Sequence, residues 1–148
     1  HPYVYIAAAG DQLRAENSTV SYRGSREVTY MFYMSTKAVN YPVKLHYTIE
    51  VGDGLQNGVD FVLDDLEGDM IFNPEDRSDP ENIIPAEYEK ALVIPFKSHT
   101  LSSSTNNTLT IRITKVEPAM EIGIPGPIDP ETGLRKNRNV THTILKKK

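Results

Sequence analysis

The clearest rhythm in the chain runs through Val43–Val51. There Val43, Leu45, Tyr47, Ile49 and Val51 alternate with Lys44, His46, Thr48 and Glu50. A period of two held this long predicts a β-strand with one buried and one solvated face. Glu27–Ser35 repeats the pattern, with Val28, Tyr30, Phe32 and Met34 on one side. Its other side carries Thr29, Met31 and Tyr33, so cover on both faces is expected. Thr108–Lys115 alternates cleanly, with Leu109, Ile111 and Ile113 inward and Thr108, Thr110, Arg112 and Thr114 outward.

Shorter runs fill the gaps. Tyr3–Ala8, Asp69–Phe72, Ala91–Phe96 and Val140–Lys146 are β-rich, and Pro95 marks Ala91–Phe96 for a sheet edge or a bulge. The segment Pro85-Ala-Glu-Tyr-Glu-Lys90 allows one helical turn with proline at its first position. No stretch between strands is long and periodic enough for a crossover helix, which argues against a parallel α/β sheet. The pattern therefore predicts an all-β chain: one antiparallel β-sandwich of about seven strands with Greek-key connections, spanning residues 1–148 as a single domain. Two connections, Asn73–Lys90 and Glu117–Asn139, exceed ordinary loop length, and long loops of this kind often carry recognition.

Composition narrows the chemistry. The 148 residues include no Cys, which removes disulfides, thiolate metal sites and cysteine nucleophiles together. No apolar run approaches the length of a membrane-spanning helix. The net charge of −4 is unevenly spread: Glu50 to Lys90 holds 13 acidic residues against Arg77 and Lys90, whereas Arg135 to Lys148 holds six basic residues and no acidic one. Lys146, Lys147 and Lys148 lack interleaved aromatic residues in an acidic protein, so no nucleic-acid partner is expected.

The order of short motifs adds a resemblance. Val43–Val51 is followed by Gly58-Val59-Asp60-Phe61, then Gly68-Asp69-Met70-Ile71-Phe72-Asn73-Pro74, Val93-Ile94-Pro95, Thr108–Thr114 and Val140–Leu145. This succession resembles Calx-beta and related immunoglobulin-like sandwich domains over about two-thirds of the chain, from Tyr41 onward. The leading Tyr3-Val4-Tyr5-Ile6 is similar to uncharacterised surface lipoprotein domains of gut Bacteroidetes. That likeness implies a cell-envelope protein, on the outer-membrane surface or in the periplasm. It also implies membrane association only through a removed lipidated leader, and His1-Pro2-Tyr3 is neither a start methionine nor a basic leader. One departure matters. Calcium-binding members place carboxylates after the Val-Pro strand, and here Phe96-Lys97-Ser98-His99-Thr100 and Ser102–Asn107 carry none. Calcium needs six to eight oxygen ligands, so the family's metal site is expected to be missing.

Catalytic constellations are weak. His1, His46, His99 and His142 are scattered without metal-ligand spacing, and Ser98-His99 as neighbours on a strand would point apart. No Gly-x-Ser-x-Gly elbow occurs. Glycines 52, 54 and 58 read as turn residues rather than a phosphate cradle. Carboxylate pairs at Asp64-Asp65, Glu75-Asp76, Asp79 with Glu81 and Glu87 with Glu89 read as solvated turn residues. Asp53, Asp60, Asp64, Asp65, Glu67 and Asp69 form a residual candidate for a cation site. Asn-x-Ser/Thr triplets begin at Asn17, Asn106 and Asn139, and in a eukaryotic protein they would mark surface loops.

Aromatic faces are the best handle for binding, because sugar rings stack on flat rings while Asp, Asn and Arg fix hydroxyls. Tyr22, Tyr33, Tyr41 and Tyr88, at strand ends or on second faces, are the ligand candidates. The expectation is a non-catalytic envelope module without metal or cofactor. Its partner is a polysaccharide or another envelope protein. A structural or adhesive sandwich working through protein–protein contacts is the alternative.

Overall fold

A computed structural model describes residues 1–8, 18–22, 26–38, 40–96, 108–126, 128, 130, 133, 135 and 138–146. Among them the chain forms nine strands and no helix: β1 (Tyr3–Ala8), β2 (Ser18–Tyr22), β3 (Arg26–Met34), β4 (Val43–Val51), β5 (Glu67–Phe72), β6 (Glu89–Phe96), β7 (Thr108–Glu117), β8 (Glu121–Ile122) and β9 (Asn139–Lys146). They make a four-stranded sheet in the order β6-β3-β1-β8 and a five-stranded sheet in the order β2-β9-β7-β4-β5.

The alternating residues read from the sequence face a single core. From the four-stranded sheet come Val4, Ile6, Val28, Tyr30, Phe32, Leu92 and Ile94. From the five-stranded sheet come Val43, Leu45, Phe72, Leu109, Ile111 and Ile113, all buried. Two apolar faces removed from water against each other supply the main drive for this two-layered arrangement. Loop residues close the core at both ends, Ala38 at one and Leu55 with Phe61 at the other. Burial also pushes the Tyr30 phenol well above its ordinary range.

The second face of β3 is covered, as its sequence implies. Tyr33 joins Tyr5 and Ala7 in a separate buried cluster, flanked by Tyr3, Met31 and Ile124. Pro95 lies on β6, an edge strand, where a missing N–H costs no ladder bond. Phe61 bridges to Phe96 there, and the Val62 N–H donates to the Pro95 carbonyl at 3.1 Å.

Three expectations need correction. Nine strands replace about seven, because β2 and the two-residue β8 were not legible. The sheets are not wholly antiparallel, since β1–β8 and β2–β9 pair in parallel. The helical turn at residues 85–90 does not form. Backbone carbonyls of Glu87 and Tyr88 instead accept from Ala38 (3.0 Å) and Met34 (2.8 Å), holding the segment extended into β6.

A register shift between His46 and Tyr47 also departs from strict alternation. His46 pairs with Lys115 and Tyr47 with Ile113, so β7 carries one extra residue. The bulge turns Val116 inward and leaves Lys115 exposed, where it meets Glu117 at 2.6 Å. Unbroken alternation would have driven a lysine into the core.

Candidate functional site

Strand registers place the start of β1, the ends of β3, β5 and β7, and the starts of β4 and β6 at one end of the molecule. Val4 lies opposite Met34, Tyr33 opposite Glu89, Val43 opposite Phe72 and Lys44 opposite Glu117. The β3–β4 connection, residues 35–42, crosses between the sheets there. Its backbone is clamped from two sides. The Ser35 N–H donates to the Tyr3 carbonyl and the Tyr3 N–H to Ser35 Oγ, both at 2.9 Å. The Ala38 N–H reaches the Glu87 carbonyl, and the Ala38 methyl is buried in the core.

With the backbone held and Ala38 turned inward, Thr36, Lys37, Asn40 and Tyr41 are exposed. They line a groove of about 300 Å³ whose floor includes Pro2, Met34, Val43 and Met120. Tyr41 is 55% exposed. Lys37 links the groove to a second ring, its Nζ lying 5.8 Å from the centroid of Tyr88, which is 41% exposed. That distance is within cation–π range. Pro2 and Met120 also border a neighbouring hollow with His1, Ala119 and Glu121, so the concavity continues towards β8.

Of the four tyrosines expected to bind a ligand, Tyr41 shares the groove with Lys37, Tyr88 lies against Lys37, and Tyr33 is elsewhere. Tyr33 is only 5% exposed, and its ring stacks on Tyr5 at 5.1 Å, so the face needed for a sugar is already covered. Tyr22 ends β2 opposite Lys146, and its side chain lies outside the described residues. Lys37 was missed altogether. A single lysine in a loop carries no signal beyond the polar run Ser35-Thr36-Lys37 between two strands.

Three of the acidic candidates are engaged locally, Asp60 in a turn and Glu67 and Asp69 beside His46. Asp60 is 4% exposed, and its Oδ2 accepts the Gln56 N–H at 2.6 Å. His46 Nδ1 meets Asp69 Oδ1 at 2.9 Å across the β4–β5 pair, with Glu67 at 3.8 Å from Nε2. Among the described residues no three acidic or histidine side chains are placed to hold a metal ion.

In the β5–β6 connection, Asp76 accepts from the Ser78 N–H and Asp79 from the Glu81 N–H, while Glu75 pairs with Arg77. The Ser78 bonds hold the Asp76 carboxyl below its usual range. Glu87 bonds Lys90 and takes the Asn73 N–H at 2.8 Å; the Lys90 bond is the main cause that lowers its carboxyl. These groups border a further hollow of about 440 Å³, lined by Asn73, Asp76, Ile84 and Glu87. Tyr47 has its phenol pushed up by burial and by the charges of Asp69 and Asp65.

Asn139 opens β9 and is buried at 6% exposure, so it does not mark a surface loop. Asn17, Asn106, His99, Lys147, Lys148 and the segment 97–107, expected to lack calcium ligands, lie outside the described residues. Comparison of the chain with family models and with curated protein sequences finds no match.

Proposed function

We propose that this chain is a non-catalytic binding module of a cell envelope, an immunoglobulin-like sandwich of the Calx-beta kind that holds carbohydrate in the groove lined by Tyr41 and Lys37. The observation that carries the reading is an exposed ring, Tyr41, sharing a groove with Lys37 on a clamped loop, with the exposed Tyr88 ring against the same lysine. Flat aromatic faces bind the C–H face of a sugar ring, and neighbouring polar side chains set its orientation. Connectivity supports the family. The chain crosses between sheets at β3–β4, β5–β6 and β6–β7, and the split of the leading segment into β1 and β2 serves both sheets. The envelope setting follows from the resemblance of the leading segment.

A second reading, a structural or adhesive sandwich contacting another envelope protein, is favoured by the β6 edge. The Pro95 carbonyl faces away from β3, so alternation turns the backbone groups of Ala91 and Val93 the same way. Both residues are exposed, and an open edge invites pairing with another strand.

Affinity electrophoresis of the purified protein through gels containing plant, host and microbial polysaccharides separates the two. Retardation by a glycan that is lost in Tyr41→Ala supports the first reading. Equal retardation of both proteins, or none, contradicts it.

A further inference from the structure

Resting on the carbohydrate reading, we infer that the groove takes an anionic sugar, one whose carboxylate or sulfate group is received by Lys37. The neighbouring lysine and arginine side chains at this end of the molecule are matched. Lys44 and Lys115 meet Glu117, Lys90 meets Glu87, and Arg135 meets Glu121 through two bonds of 3.0 and 3.1 Å. Lys37 has no carboxylate within ion-pair distance among the described residues, and it is exposed on the groove wall.

An ammonium beside the face of Tyr88 keeps donors free on its outer side. A charge-assisted bond to an anionic oxygen is the strongest contact such a group can add. Thr36 and Asn40 also have no side-chain hydrogen-bond partner among the described residues, and they flank Lys37 on the same wall. They supply the neutral donors and acceptors that sugar hydroxyls require. The clamps at Ser35 and Ala38 fix the backbone before any ligand arrives, which lowers the ordering cost of binding.

Opposing terms set the scale. Glu89 follows Tyr88 without an ion pair among the described residues, and the chain carries a net charge of −4. Attraction of an anion is therefore local to Lys37 rather than steered from a distance.

The test is affinity electrophoresis of the wild type, Lys37→Gln, Lys37→Arg and Arg138→Gln against polygalacturonate, chondroitin sulfate and a neutral galactan. The account expects retardation by a polyanion, with a dissociation constant raised about tenfold in Lys37→Gln and largely restored in Lys37→Arg. Arg138→Gln, at a residue that does not line the groove, should run as the wild type. Response to polygalacturonate alone identifies a carboxylate ligand, and response to chondroitin sulfate alone a sulfate. Retardation by galactan alone, or binding unchanged in Lys37→Gln, overturns the anionic assignment and leaves the carbohydrate reading standing. Equal losses in Lys37→Gln and Arg138→Gln overturn it as diffuse charge attraction. No retardation by any glycan overturns both.

Discussion

Two loops at opposite ends of the sandwich use polar residues in contrasting ways. In the turn at residues 55–63, polar groups face inward on the turn itself. Gln56 N–H donates to Asp60, Asn57 donates to and accepts from the Leu63 backbone at 2.8 and 2.9 Å, and the Gly58 N–H meets the Phe61 carbonyl. Gly58 has φ of +92°, a conformation that a residue with a Cβ adopts only under strain. In the loop at residues 35–42 the backbone and the Ser35 hydroxyl do the holding, and the side chains of Thr36, Lys37 and Asn40 are left to solvent. The first arrangement is scaffold: the Asp60 carboxylate and the Asn57 amide both bond the turn's own backbone around the buried Phe61. The second is a rigid frame presenting unused chemistry, which is the condition for recognition.

The contrast breaks most visibly through the core. Phe61 is fully buried, its ring centroid 5.9 Å from that of Phe96, and Phe61→Ala should cost about 3–5 kcal/mol in urea unfolding. Loss of less than about 1 kcal/mol would mean that the turn is not anchored as described. Next comes Asp60→Ala, which strands the Gln56 N–H and should cost about 1–3 kcal/mol while leaving glycan retardation unchanged.

A smaller effect concerns the link between the β5–β6 connection and the groove. The Lys90 ammonium holds the Glu87 carboxyl below its ordinary range. A depressed folded-state value contributes stability above the unfolded value of about 4.3, and that contribution is lost as pH falls through the lower folded value. With both side chains partly exposed it amounts to less than about 1 kcal/mol. Glu87→Gln should flatten the stability profile across that acid window, measured by thermal melts at stepped pH. Smallest of all in stability, Tyr41→Ala should shift unfolding by no more than about 0.5 kcal/mol and yet abolish glycan retardation.

Much of the scaffold side of this contrast is legible in the sequence. Alternation in Val43–Val51 and Thr108 to Ile113 assigns the correct inward residues, and the apolar second face of β3 announces its cover. Ser18–Tyr22 is less legible because it is short and polar and pairs in parallel with β9, far along the chain. Its strand character comes from the partner rather than from its own pattern.

The groove side is harder to read. Tyr33 and Tyr41 look alike as exposed-face tyrosines, and periodicity gives a residue's face without saying what lies over it. Stacking on Tyr5 decides against one, and a loop held by Tyr3 and Glu87 presents the other. Lys37 depends wholly on tertiary placement, since only folding brings it to Tyr88, far along the chain.

The most direct measurement is amide chemical-shift mapping of the labelled protein during separate titrations with oligogalacturonate and with a chondroitin sulfate oligosaccharide, read for whichever of the two binds. The account predicts perturbations concentrated in Thr36, Lys37, Asn40, Tyr41 and Tyr88, with Gln56 through Leu63 unmoved. Shifts centred on the 55–63 turn, or no saturable shift at Thr36–Tyr41 and Tyr88, would contradict it.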